Sequence, residues 1–81
     1  MANMTDVTHI TDITTKPAED ITFGDTVVVQ GHTNLVVGDV YDADRHYPLG
    51  VRIWLTYRLD GVDQYEQITV ERGSRVTVLT F

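Results

Sequence analysis

Apolar and polar residues alternate most regularly in the middle of the chain, over Val51–Leu59. A second β-rich run, Val62–Val70, follows after Asp60-Gly61. An Asp-Gly pair between two such runs is typical of a type I′ turn, because both central residues of that turn need positive φ. The pattern therefore predicts a β-hairpin and, with it, an antiparallel all-β protein.

The two-residue turn also predicts how the two strands of the hairpin pair. It sets Ile53 opposite Ile68, which joins aliphatic side chains on one face. The same register sets Leu55 opposite Glu66, which is a poor pair for the face of a core. A three-residue loop with a G1 bulge is the alternative, and it would turn the second strand's side chains to the other face. We favour the two-residue turn.

Val- and Thr-rich runs between turn residues predict three further strands. These are Thr26–Gln30, Leu35–Tyr41 and Arg75–Thr80, with Gly38 marking a bulge or a tight bend in the second of them. Residues 42–50 are predicted as a long polar loop, and residues 71–74 as a tight turn.

The chain divides into an arm and one domain. Residues 1–16 are rich in Thr and Asp, and the spacing of Val7, Ile10 and Ile13 fits neither a strand nor a helix face, so we expect a flexible or extended N-terminal arm. Residues 17–81 hold the five predicted strands and are expected to form a small five-stranded SH3-like barrel, which curls its sheet nearly closed. An OB-fold is the alternative, but the sequence predicts no helix between its third and fourth strands.

A resemblance to known families rests on the segment from Phe23 to Gly31. Its Gly24-Asp25 followed by an alternating strand resembles the opening of KOW-type and related SH3-like modules, with Gly38 and Val40 near the family's later Gly and Val. The whole pattern also resembles the small SH3-like proteins of actinobacteria and their bacteriophages. Such modules bind RNA or proteins. The basic residues that contact RNA are missing here, so the resemblance implies the fold and a protein partner.

Charge and composition narrow the class of partner. The chain has 12 acidic and 6 basic residues, a net charge of −6, and its basic residues are scattered singly. Binding to nucleic acid needs clustered Lys and Arg, so we expect a protein with a basic surface instead. There is no cysteine, no apolar run long enough to span a membrane and no signal-peptide pattern at the N-terminus. We therefore expect the cytoplasm (of a host cell, if the protein is phage-encoded) or a virion.

One face of the hairpin is the candidate interaction site. Trp54, Arg52 and Arg58 lie on the side opposite Ile53 and Leu55, and Tyr65 of the second strand is expected to join them. Trp, Tyr and Arg are the residues most enriched at the centres of protein interfaces. The alternative is that Trp54 covers the open end of the barrel or packs beneath the arm.

No enzyme, metal site or cofactor is predicted. Asp42, Asp44 and His46, with Asp39 nearby, offer ligands on a loop, but they lack the Gly-centred pattern and bidentate Glu of a calcium loop. His9, His32 and His46 are isolated from any nucleophile, and no Gly-rich phosphate loop is present.

Three functional hypotheses follow from these features. The first is a non-enzymatic protein–protein interaction module, phage-encoded, that binds a host protein or a second copy of itself as a homo-oligomer. The second is a virion structural protein, a head–tail or decoration component, that assembles through its N-terminal arm. The third is an acidic nucleic-acid mimic built on the acids between Asp39 and Asp44.

Overall fold

Strands make up the regular structure of residues 10–81, the range that the computed structural model describes, apart from a 3₁₀ turn at Ala18–Asp20. No helix within these residues is long and apolar enough to cross a membrane. The strands are β1 (Asp12–Pro17), β2 (Thr26–Gln30), β3 (Leu35–Asp44), β4 (Val51–Leu59), β5 (Val62–Val70) and β6 (Arg75–Thr80). The predicted all-β class is confirmed.

These strands form a single 6-stranded antiparallel sheet in the order β1-β6-β2-β3-β4-β5. Strands β2 to β5 follow one another as a meander, and β6 returns to lie beside β2. The sheet is not closed, because β1 and β5 are its two edges. The prediction of five strands is therefore wrong, since a sixth strand, β1, lies within the segment predicted as an arm except for its last residue, Pro17.

Strand β1 pairs with β6 over all 6 of its residues. Its first four residues are exposed, and Ile13 among them is 63% exposed. A strand that buries so little of itself needs no alternation of apolar and polar residues, which explains why the sequence pattern missed it. Residues 1–9, which hold the rest of the predicted arm, lie outside the described residues.

The hairpin of β4 and β5 forms as predicted. Asp60 and Gly61 have φ of 52° and 78°, the two positive values that a type I′ turn requires. The pairing runs without a shift from Leu59 opposite Val62 to Val51 opposite Val70. The two-residue turn is therefore confirmed, and the alternative with a G1 bulge is excluded.

Strand β3 is longer than predicted. It continues to Asp44, so the loop before β4 begins at residue 45 instead of residue 42. A β-bulge between Val40 and Asp42 shifts the register there and interrupts the alternation that would have revealed the longer strand. The bulge does not lie at Gly38, which pairs regularly; a Cβ at Gly38 would lie 3.0 Å from the Thr56 carbonyl oxygen, so glycine lets β4 approach closely.

The core lies on one side of the sheet, where alternate residues of β2 to β6 meet. Ile53 and Leu55 of β4 are fully buried there, and fully burying one such side chain contributes roughly 1.5–3 kcal/mol. The buried apolar cluster consists of Ala18, Ile21, Val27, Val29, Val36, Val40, Val51, Ile53, Leu55, Val76 and Val78. Most of these residues are valines on neighbouring strands. Because side chains alternate along a strand, the residues between them lie on the opposite side of the sheet.

Two arginines fasten the connecting segments at one end of the sheet. Arg45 donates to the carbonyl oxygens of Glu19 and Ile21 at 2.7 and 2.8 Å. Arg72 donates to three carbonyl oxygens in the loop between β3 and β4. The Glu19 carboxylate accepts the Gly73 N–H at 2.8 Å, and hydrogen bonds from its own backbone and from Gly73 lower the pKa of Glu19. These contacts hold the loop beside β4 in place.

Candidate functional site

The outer side of β3, β4 and β5, opposite the core, carries the predicted site residues of β4. Alternation along β4 turns Arg52 and Trp54 to this side, because the residues between them are in the core. Trp54 is half-buried, and its neighbours in the register are Asp42 on β3 and Gln67 on β5. Trp54 therefore lies on the middle strand of the three, flanked on both sides.

Arg52 is held between two aromatic rings. Its guanidinium carbon lies 4.3 Å from the centre of the Tyr47 ring and 5.1 Å from that of Trp54, both within cation–π range. Asp44 lies beside it, with 3.7 Å between Arg52 Nη2 and Asp44 Oδ2. Arg52 Nε is buried and has no hydrogen-bond partner among the described residues. The contacts with both rings and with Asp44 restrict the direction of the guanidinium.

A second aromatic pair lies on the same side of the sheet. Tyr41 and Tyr65 pack edge to face, with ring centres 6.1 Å apart and planes at 83°. Tyr65 is 70% exposed and Tyr41 is 42% exposed, so both offer surface to a partner. Tyr65 is the register partner of Thr56, two residues along β4 from Trp54. We call Tyr41, Tyr47, Arg52, Trp54 and Tyr65 the aromatic face.

The structure brings the four predicted residues together only in part. Arg52 and Trp54 are in contact, whereas Tyr65 packs on Tyr41. Arg58 lies near the hairpin turn, where it forms an ion pair of 2.8 Å with Asp63 and donates to the Gly61 carbonyl oxygen. Arg58 is therefore a peripheral member of the predicted site.

Two members of the aromatic face were missed by the sequence analysis. Tyr47 belongs to the loop after β3, and its position over Arg52 depends on tertiary contacts that a linear pattern does not contain. Tyr41 is placed by the β-bulge in β3. The sequence does place Tyr41 and Tyr47 at the two ends of an Asp-rich segment. This spacing does not indicate on which side of the sheet either ring lies.

Every basic side chain of the protein has an internal partner. Three form ion pairs with Asp, and three donate to backbone or hydroxyl oxygens. In chain order they are Lys16 with Asp25, Arg45 with Glu19 and Ile21, Arg52 with Asp44, Arg58 with Asp63, Arg72 with the loop carbonyls, and Arg75 with Thr15. With 6 bases against 12 acids, the surface presents an excess of free negative charge.

The acids considered as metal ligands are used in other ways. Asp39 Oδ1 accepts a hydrogen bond of 2.6 Å from Thr26, and Asp44 pairs with Arg52 and accepts the His46 N–H. The Asp42 carboxylate accepts the N–H of the next residue. Within residues 10–81, no group of three or more His, Asp or Glu side chains is arranged to hold a metal ion. These contacts give the nucleic-acid mimic less support than the interaction hypothesis, because the acids form no uniform free row.

A cleft of about 300 Å³ opens between the turn after β2 and the end of the hairpin. Exposed Leu35 and Leu59 line it, and Glu66 lies among its lining residues. The Tyr57 hydroxyl donates to Glu66 at 3.1 Å, and the His32 N–H donates to the same carboxylate at 2.7 Å. Partial burial raises the pKa of Tyr57, and the hydrogen bond to Glu66 and its negative charge raise that pKa further. The cleft offers apolar walls but a carboxylate already occupied by two donors.

Comparison of the chain with family models, with curated proteins and with solved structures found no match.

Proposed function

We propose that this protein is a non-enzymatic, SH3-like interaction module that binds a protein partner through its aromatic face. The order β6-β2-β3-β4-β5 supports the SH3-like assignment, since the last strand of a five-strand meander returns beside the first, as a curling sheet requires. The Gly24-Asp25 turn before β2 supports the KOW-like part of the resemblance. Strand β1 is an addition to that arrangement.

The fixed stack of Tyr47, Arg52 and Trp54 is the observation that carries this proposal. Ordering flexible side chains on binding costs conformational entropy and weakens affinity. The guanidinium of Arg52 already contacts both rings in the free protein, so less of this entropy is lost when a partner binds. Large rings beside a planar cation are also the groups that dominate interface energies. The exposed Tyr65 extends the same surface.

The charge of the protein supports a partner with a basic surface. The net charge is −6, and each of the 6 basic side chains is already engaged within the chain. Unpaired acids attract a positively charged surface and accelerate its association. A host protein of a phage-encoded module meets this description better than a second copy, which carries the same negative charge.

A quantitative capture experiment tests the aromatic face. Immobilised wild-type protein and Trp54→Ala are compared for the proteins they retain from an actinobacterial lysate, followed by binding curves with the captured protein. Loss of a central Trp costs about 2 kcal/mol or more, so we expect Kd to rise roughly 30-fold.

Phe23→Ala is the matched control, because Phe23 is an exposed aromatic residue in the loop before β2, outside the aromatic face. It should bind as the wild type does. If folded Trp54→Ala binds as tightly as Phe23→Ala, the aromatic face is not the binding surface.

Assembly of a virion through the N-terminal segment is the second candidate function. The observation that favours it is that β1 is an edge strand, so its outer side is available to a strand of a neighbouring subunit. Against it, all 6 residues of β1 pair with β6 of the same chain.

A further inference from the structure

Strand β5 is a long edge strand of the sheet. It has 9 residues and pairs with β4 on one side without any bulge, and no strand within residues 10–81 pairs with its other side. Natural proteins usually protect such an edge with charged residues, Lys above all, with Pro, with a bulge or with a covering segment. The sequence Val62–Val70 contains neither Lys nor Pro, and its charged residues are Asp63 and Glu66. This edge is open to another strand.

The turn geometry identifies the backbone groups at this edge. In a two-residue hairpin the residues flanking the turn, Leu59 and Val62, form a hydrogen-bonded pair, and such pairs alternate along the ladder. The even-numbered residues of β5 therefore bond to β4. The N–H and C=O groups that point to the open edge belong to Asp63, Tyr65, Gln67 and Thr69.

Space for an added strand lies beside this edge. An open cleft of about 330 Å³ separates β5 from β2 and β6, where the sheet has curled without closing. Ile68 and Val70 of β5 line one wall, and Val29 and Val76 line the other. A strand added to β5 would place alternate side chains in this cleft, whose lining also includes Gln30, Glu71 and Arg75, and the others on the side of Tyr65.

The charges around β5 indicate which side chains an added strand should carry. Residues 59–71 contain no Lys or Arg, and they include Asp60, Asp63, Glu66 and Glu71. Among these acids, only Asp63 has a cationic partner within the described residues. A second copy of this chain would bring the same acids to the edge, and like charges across a pair of strands are destabilising. A segment carrying Lys or Arg would complement them.

We propose that the open edge of β5 binds an extended, basic segment of a partner protein as a seventh strand. The partner's apolar residues enter the cleft beside Ile68 and Val70, and its other side chains lie on the side of Tyr65. Its Lys or Arg residues complement Asp60 and Glu71, the two acids that flank β5 and form no ion pair within the described residues. This proposal rests on the proposed interaction function and specifies the partner's chemistry. It adds main-chain hydrogen bonds to the side-chain contacts of the aromatic face.

Amide hydrogen exchange with a defined peptide tests the strand addition. The probe is a nine-residue peptide of alternating Arg and Val, and the matched control peptide carries Glu in place of Arg. In the free protein, the amides of Asp63, Tyr65, Gln67 and Thr69 should exchange rapidly, while the even-numbered amides of β5 are protected. Saturating Arg-Val peptide should slow the four odd-numbered amides at least tenfold, and the Glu-Val peptide should not.

Two variants at one position separate strand addition from binding by charge alone. Gln67→Pro removes an N–H that points to the open edge, a position where proline is compatible with a sheet, so the fold is retained and peptide affinity should fall at least tenfold. Gln67→Ala keeps the N–H and should bind as the wild type does. The exchange pattern of the wild type stands as a test even if Gln67→Pro does not fold.

Three results would overturn the proposal. Peptide binding that shifts signals of Trp54 and Tyr65 without protecting the odd-numbered amides would exclude strand addition, while supporting the aromatic face. Absence of binding at millimolar peptide would exclude a basic segment at this edge and would leave the Trp54→Ala capture experiment to judge the proposed function. Protection of the same amides that grows with protein concentration, without peptide, would identify a second copy as the occupant.

Discussion

Glu66 illustrates how a carboxylate is accommodated on the inner side of a small sheet. It lies opposite the fully buried Leu55, yet its carboxylate extends to the open end, where it accepts hydrogen bonds from the Tyr57 hydroxyl and the His32 N–H. A buried carboxylate without such donors would be strongly unfavourable. The pair that looked poor in the sequence is therefore stabilised by groups from two other segments.

This arrangement predicts a delayed titration of one tyrosine. The pKa of Tyr57 is raised above its ordinary value of 10.0, first by partial burial and then by the hydrogen bond and charge of Glu66. Because the folded pKa is the higher one, the stabilising contribution is complete below the unfolded pKa and is lost as pH rises through the folded pKa. Absorbance titration of the tyrosinates should show the midpoint of Tyr57 moving down in Glu66→Gln.

Tyr57→Phe identifies that transition by abolishing it, and Glu71→Gln controls for the loss of an acid elsewhere on the surface. An unchanged titration in Glu66→Gln would mean that Glu66 does not act on Tyr57.

Among the elements, the hairpin was the most predictable from sequence and β1 the least. Asp60-Gly61 determines both turn type and register locally, so the bounds of β4 and β5 follow from a few adjacent residues. The pairing of β1 depends on β6, at the far end of the chain, and buries little apolar surface. The same difference applies to the aromatic face. Alternation along β4 predicts the side on which Arg52 and Trp54 lie, whereas the position of Tyr47 depends on tertiary contacts.

The turn itself gives a stability prediction. Gly61 has φ of 78°, and a Cβ there would meet no atom within 4 Å, so Gly61→Ala introduces only backbone strain. A residue with Cβ in the left-handed region costs about 1–2 kcal/mol, and urea unfolding should show a loss of that size.

Gly61→Asn is the matched control, since Asn adopts positive φ more readily and should lose less stability. Equal losses in the two variants would contradict the assignment of the effect to backbone conformation.

At the scale of the whole molecule, the protein is a curled sheet whose connecting segments are held by two arginines and whose edge at β5 is open. Arg45 and Arg72 hold the connecting segments by donating to backbone carbonyl oxygens of other segments. The cleft beside β5 is open, and β1 extends the sheet beyond β6 at the other edge.

Removal of residues 1–16 tests the contribution of β1. A chain that starts at Pro17 loses nearly all of β1 and leaves β6 as an unpaired edge. Each net hydrogen bond lost costs about 0.5–1.5 kcal/mol, but the chain no longer loses the backbone entropy of ordering β1. Urea unfolding should therefore show a net loss of only about 1–3 kcal/mol. Light scattering after size exclusion should show the full chain as a monomer and the shortened chain as prone to association, because a bare edge recruits strands.

A discrete oligomer of the full chain that dissociates on truncation would instead favour the virion hypothesis. Equal stability and a monomeric state in both chains would show that β1 contributes nothing to the fold.

The pairing of β1 with β6 has a consequence for synthesis on the ribosome. Among the strands of residues 10–81, β1 is translated first and β6 last, with Pro17 opposite Arg75. At roughly 5–20 residues per second, β1 leaves the ribosome several seconds before its partner exists. The meander of β2 to β5 can form during this interval, since each of its strands pairs with the next one translated. The nascent chain therefore carries β1 unpaired until β6 has left the ribosome, and only then can the sheet acquire β1 as its outer strand.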